Sequence, residues 1–235
     1  MRIIDLILET LYPKRCIMCH EIMDYGTREH TCHKCKENAD YAEDIDYIAE
    51  AERNCGDRVY FDECHSVFYY DYVKGAIEHF KFRKYKRDSI ALADYMNKYG
   101  SEKGIFENID VVIPVPVHEK RLKERGFNHA GELAKIIADK NNILYEENVL
   151  IRVKNTKPQY TLSYDERKGN IEGAFKVVDK ERICGKRIML VDDIFTTGAT
   201  VNECAKMLKR VGVEYVSVFE LSCSSALKKE KKTDV

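Results

Sequence analysis

Asp192 and Asp193 stand side by side at the end of an apolar run, and Thr196, Thr197, Gly198, Ala199 and Thr200 follow within a few residues. Arg187–Val191 reads as a buried strand, and after the loop Val201, Ala205, Leu208 and Val211 recur at helical spacing. A strand, a short loop and a helix in that order place unpaired first-turn N–H groups at the carboxyl end of a strand. The helix dipole adds to them, so the junction is a site for an anion. Gly198 lets the backbone approach a phosphate, and the threonine hydroxyls add donors. The two carboxylates would repel phosphate but suit the vicinal hydroxyls of a ribose. Together these residue types describe a site for a sugar carrying a 5′-phosphate. The plainer alternative is a turn whose aspartates only cap and solubilise.

A second chemistry sits near the N-terminus. Cys16 and Cys19 form one CxxC knuckle, Cys32 and Cys35 another, with twelve residues between them. Two knuckles complete a tetrahedral four-thiolate zinc site with no open position, which makes it structural. The chain has nine cysteines but no export signal, and that pattern favours metal over disulfides. Cys55 and Cys64 lie where a second pair of knuckles would stand, but Glu52 and Phe61 occupy the completing positions. They read either as a degenerate second finger or as ordinary buried cysteines.

Three further groups bear on binding. Lys81, Arg83, Lys84, Lys86 and Arg87 interleave with Phe80, Phe82 and Tyr85, a pattern that can hold a phosphate backbone and stack bases. It also fits a helix end with aromatics inward and lysines in water. Arg121 and Arg125 follow the strand Ile109–Ile113 and its Pro114-Val-Pro116 exit. Lys154–Asn170 is polar, long and weakly periodic, the signature of a lid, with Thr156, Gln159, Arg167 and Asn170 placed to face a ligand.

The elements that must position these groups are strands at Ser66–Tyr72, Ile109–Ile113, Val149–Val153, Ala174–Val178, Arg187–Val191 and Tyr215–Phe219, alternating with helical patterns at Lys74–Phe82, Ser89–Tyr99 and His129–Lys140. That is an α/β domain. The expected organisation is an amphipathic helix and zinc finger over 1–36, an acidic linker with the degenerate finger over 37–65, an α/β domain over 66–227, and a disordered tail over 228–235. Ile3–Leu11 is too short to span a bilayer, so a cytoplasmic protein with no membrane span is expected. A formal net charge of −1 argues against a globally basic nucleic-acid binder.

Apolar strand, Asp-Asp, then Thr-Thr-Gly-x-Thr resembles the phosphoribosyl pyrophosphate (PRPP) motif of type I phosphoribosyltransferases. With the four cysteines, Tyr72-Val-Lys-Gly75, Arg125-Gly-Phe-Asn128, Thr156 with Gln159, Arg167–Asn170 and Gly173-Ala-Phe175, the chain resembles the ComF family of competence-associated proteins. The resemblance implies a zinc finger on a type I phosphoribosyltransferase fold, a mostly parallel sheet flanked by helices. It implies PRPP with Mg²⁺ at Asp192 and Asp193, its phosphate on Thr196–Thr200, and its pyrophosphate near Arg121, Arg125, Gln159 and Arg167. It also implies a role in natural transformation with imported single-stranded DNA, beside a DNA-translocating helicase and a recombinase loader. Two roles stay open: an active transferase of unknown acceptor, and a binding factor for DNA and protein partners.

Overall fold

The computed structural model describes residues 10–56, 58–83, 86–155 and 171–228. In chain order they form helices α1 (His33–Glu37) and α2 (Tyr47–Cys55), strand β1 (Glu63–Tyr69), helices α3 (Tyr70–Arg83) and α4 (Lys86–Glu102), and strand β2 (Val111–Pro114). Helices α5 (Glu119–Arg125) and α6 (His129–Asn141) follow, then short strands β3 (Leu144–Tyr145), β4 (Leu150–Arg152) and β5 (Phe175–Val177). The chain continues through β6 (Arg187–Phe195), α7 (Ala199–Arg210) and β7 (Tyr215–Cys223).

Near-continuous apolar runs make strands buried on both faces, and such strands pair in parallel beneath helices. Here β1, β7, β6, β2 and β3 form one sheet in that order, every pairing parallel. One face packs Val111, Ile188, Leu190, Val216 and Val218 against residues of α2 and α7. The other packs Val112, Met189, Val191 and Phe219 against residues of α3, α4 and α6. Phe68, Phe80, Phe195 and Phe219 are fully buried, each worth about 2–3 kcal/mol on burial.

The structure departs from the sequence expectations in four places. Strand β6 runs on through both aspartates to Phe195, because β7 is as long and keeps pairing with it. Strands β4 and β5 leave the main sheet and form a separate antiparallel pair. The stretch 37–65, read as a linker, contributes Ala42, Tyr47, Ala51, Phe61 and Cys64 to the core, and Cys55 is buried as well. Its acidic residues Glu43, Asp44, Asp46 and Glu52 stay exposed, as a solvated face requires, and the Asp46 side chain caps α2 by accepting from the Ala49 N–H. Lys228, placed in the tail, pairs with Asp40 at 2.8 Å; residues 229–235 lie outside the described residues. No helix among the described residues is long and apolar enough to cross a membrane.

Candidate functional site

The phosphate loop is built from behind. Gly198 takes the N-cap of α7 at φ +77°, a backbone that glycine alone adopts without cost. A Cβ there would meet the Phe195 ring at 2.9 Å and the Ala51 Cβ at 3.0 Å. Helix α2 therefore buttresses the loop. Cys55 adds a thiol donated to the Thr197 carbonyl at 3.7 Å, so Cys55 and Cys64 serve as buried core residues. Asn202, in the first turn of α7, accepts from the Tyr60 N–H at 2.7 Å and donates to the Arg58 carbonyl at 3.2 Å. The first turn of α7 carries no acidic residue, which keeps its positive end open to an anion. Gly198→Ala is expected to lower stability by about 1–2 kcal/mol, read from the midpoint of a urea titration.

Strand geometry divides the acid pair. Consecutive strand residues point to opposite faces, so the two carboxylates have different neighbours. Asp192 lines an open cleft with Phe195, Thr196, Gly198, Thr200 and Glu220. Asp193 receives the Lys81 ammonium at 2.5 Å. Burial, then the neighbouring Asp193 charge, pushes the Asp192 carboxyl up to about 7, against the opposing pull of Lys81 and Arg152. Glu220 is the register partner of Asp192 on β7. It is fully buried, and neither carboxyl oxygen has a hydrogen-bond partner. Burial and the two aspartates hold its carboxyl well above the usual range.

The cations come from three elements. Lys81 arrives on α3, whose Phe80 is buried against Phe127 and His129, with ring centroids 5.8 and 5.0 Å away. His129 Nε2 donates to the Lys81 carbonyl at 3.4 Å. Lys81, the first member of the basic stretch, thus pairs with Asp193 next to the cleft residue Asp192, and Phe80 before it is buried in the core. Arg152 sits on β4 over the Phe175 ring at 5.4 Å and feels both Asp192 and Arg121 electrostatically, and burial followed by Arg121 lowers its pKa from the ordinary value. Arg121 is on α5, half-buried, within that same field. The pair β4–β5 is tied to α7 by the Gly173 N–H donating to Glu203 Oε1 at 3.0 Å. The Arg125 side chain, those of Arg83, Lys86 and Arg87, and Lys84, Thr156, Gln159, Arg167 and Asn170 lie outside the described residues.

Sequence reasoning missed Arg152 and Glu220. A basic residue ending an apolar strand, and a lone carboxylate inside the apolar run Tyr215–Cys223, were the available signals.

The four cysteines meet as the spacing predicts. One sulfur from each of Cys16, Cys19, Cys32 and Cys35 lies within 4.8 Å of the others, and Cys19 and Cys32 sulfurs are 3.8 Å apart. Tetrahedral Zn–S bonds of about 2.3 Å place sulfurs at about that separation. The Cys32 N–H donates to Cys16 Sγ at 3.4 Å, as suits a thiolate. The cluster fits a metal ion such as zinc. It does not stand apart: Cys16, Ile17 and Met18 are buried in the same core as Val67, Phe68 and Val73.

The phosphoribosyl transferase domain family matches residues 89–234, more than half of the chain. A competence protein F of Haemophilus influenzae is 38% identical over 114 residues, covering 48% of this chain and 50% of that one. The DNA utilization protein YhgH of Salmonella typhi is 34% identical over 110 residues, 47% of this chain and 48% of that one. The competence protein ComFC of Bacillus subtilis is 29% identical over 154 residues, 63% and 58% of the two chains. The chain spans about half the length of the first two curated relatives. Five parallel strands under helices, with an acid pair and an αL glycine at the end of β6, are a type I phosphoribosyltransferase fold. The chain belongs to the phosphoribosyl transferase domain family, and its relatives include the competence and DNA-utilization proteins of the ComF type.

Proposed function

We propose that this protein binds PRPP at the end of β6 and acts in DNA uptake, handling imported single-stranded DNA in the cytoplasm. The observation that carries the reading is the cleft in which Asp192 faces an acid-free helix N-terminus across the Gly198 turn. The 5′-phosphate takes the N–H groups and hydroxyls of Thr196–Thr200. The Asp192 carboxylate accepts from ribose hydroxyls. Arg121 and Arg152 offer guanidinium forks to the pyrophosphate, with Arg125, Gln159 and Arg167 assigned to the same end. Asp192 and Asp193 would be the residues to hold Mg²⁺, which would supply positive charge against the phosphates. The four cysteines hold zinc as a structural ion.

The names of the relatives supply the DNA role. Single-stranded DNA is assigned to the basic stretch beyond Lys81, and the competence helicase and the recombinase loader are the protein partners. A second reading, an active transferase with an unknown acceptor, draws on the acid pair itself. Phosphate binding alone has no use for two adjacent carboxylates, whereas loss of pyrophosphate leaves positive character at the anomeric carbon that a carboxylate stabilises.

Calorimetric titration of the full zinc-loaded chain with PRPP and Mg²⁺ tests the reading. The intact protein is expected to bind at micromolar Kd, and Asp192→Asn with Asp193→Asn to lose at least about tenfold, or ~1.4 kcal/mol. Charge reversal at Arg83, Lys84 and Lys86 should release single-stranded DNA and leave PRPP affinity alone. If the intact chain gives no heat with PRPP, the ligand assignment is wrong.

A further inference from the structure

The family match begins at residue 89, yet a side chain from before that point pairs with a member of the acid pair. Lys81 carries a long, flexible side chain that costs rotamer entropy to fix. It is nonetheless placed 2.5 Å from Asp193, with the two side chains only 23% and 16% exposed. Something must hold its helix in rotation and height. On α3, positions 72, 75 and 79 share one face, and each touches the four-cysteine module. The Tyr72 hydroxyl donates to the Cys35 carbonyl at 2.7 Å. Gly75 leaves room for the first knuckle, since a Cβ there would stand 3.2 Å from the Met18 carbonyl. The His79 ring lies 4.8 Å from that of His20, and its Nδ1 meets Asp88 at 2.6 Å. Val73, Ala76 and Ile77 bury against the same cluster as Cys16, Ile17 and Met18.

We propose that Lys81 is the cationic arm of the phosphate-ligand site and that the four-cysteine module holds it there through α3. The arm neutralises Asp193 beside the cleft residue Asp192. A ligand bearing pyrophosphate on a sugar then finds one carboxylate available at Asp192 and an ammonium, rather than a second negative charge, at the other. The module is thereby a positioning part of the site. The ligand half of this proposal rests on the phosphoribosyl reading above; the positioning half does not.

Two measurements on the full zinc-loaded chain separate the halves. Site-resolved acylation of lysines, followed by mass spectrometry, reads the position of Lys81 without any ligand. A partly buried amine paired with a carboxylate should react at least about tenfold more slowly than Lys98 or Lys123, whose side chains are 71% and 77% exposed. Gly75→Leu, which wedges the knuckle off the helix, and the milder Tyr72→Phe should each speed Lys81 selectively while zinc content stays at one per chain. Unchanged Lys81 kinetics in both variants would overturn the positioning half. Titration with PRPP and Mg²⁺ reads the arm: Lys81→Met should weaken binding by at least about tenfold while Lys81→Arg stays within about threefold. Equal affinity of Lys81→Met and the intact chain would overturn the arm. A chain that binds no PRPP at all while Lys81 remains shielded would sink the ligand assignment and uphold the positioning.

Discussion

Removing the metal from the four-cysteine site should unfold one face of the main core along with the finger. Cys16, Ile17 and Met18 are 0%, 4% and 7% exposed and pack with Val67, Phe68, Val73 and Phe80. Metal binding in small cysteine modules is worth about 10–16 kcal/mol in apparent terms, comparable with the whole stability of a domain at about 5–15 kcal/mol. A freely hinged finger would lose its own fold and spare the sheet. Here one ligand, Cys16, is itself a core residue and Cys32 and Cys35 pack against the core, so their release exposes the apolar surface beneath α3. Hydrogen exchange with and without a strong zinc chelator reads the difference. Protection is expected to fall across Glu63–Ile77 together with residues 15–38. Loss confined to 15–38 would show that the module folds independently.

The second large effect is on pH. Glu220 and Asp192 both have carboxyls raised in the folded chain, Asp192 to about 7 and Glu220 well above its ordinary value. The folded state therefore holds protons that the unfolded chain has released above pH ~4–4.5. Stability from these groups is present below that pH and is lost as pH rises through the folded values. Each group contributes a slope of about 1.4 kcal/mol per pH unit while it is protonated only in the folded state. The groups facing Glu220 are Asp192 and Asp193 on β6 and Lys81 on α3. Glu220→Gln removes one of the two titrations and leaves that of Asp192. Between pH 5 and 7 the intact chain is expected to lose stability more steeply than the variant. Urea midpoints at three pH values measure this, and parallel pH slopes would refute the assignment.

How much of this was legible beforehand follows from where each signal lives. The phosphate loop and the cysteine knuckles could be read because residue type and local spacing carry their chemistry. The division of the acid pair could not, since it depends on β7 pairing with β6 past Val191. An acidic helix was legible over Lys36–Arg53, but the buried face of α2 was masked by its acidic surface. Tyr47, Ala51 and Cys55 recur every four residues and mark its buried face, but the solvated residues between them dominate the composition. Lys81 was readable as a basic residue in an aromatic stretch, and its partner was not, because Asp193 is distant in sequence. Arg152 and Glu220 needed the fold itself: one lies on a strand pair outside the main sheet, and the other is an orphan at a register position that only the sheet defines.

The order of strands sets a problem of timing during synthesis. Strand β1 emerges from the ribosome early, but the strand it pairs with is β7, almost the last to appear. Until Tyr215–Cys223 is made, β1 and the cysteine module packed beneath it have no edge to join, and β6 has a bare flank beside the acid pair. Contacts this far apart in sequence form slowly and leave strand edges exposed meanwhile. The nascent chain must therefore carry an incomplete cleft, with its anion-binding turn already encoded, until the closing strand slots between two that were made before it.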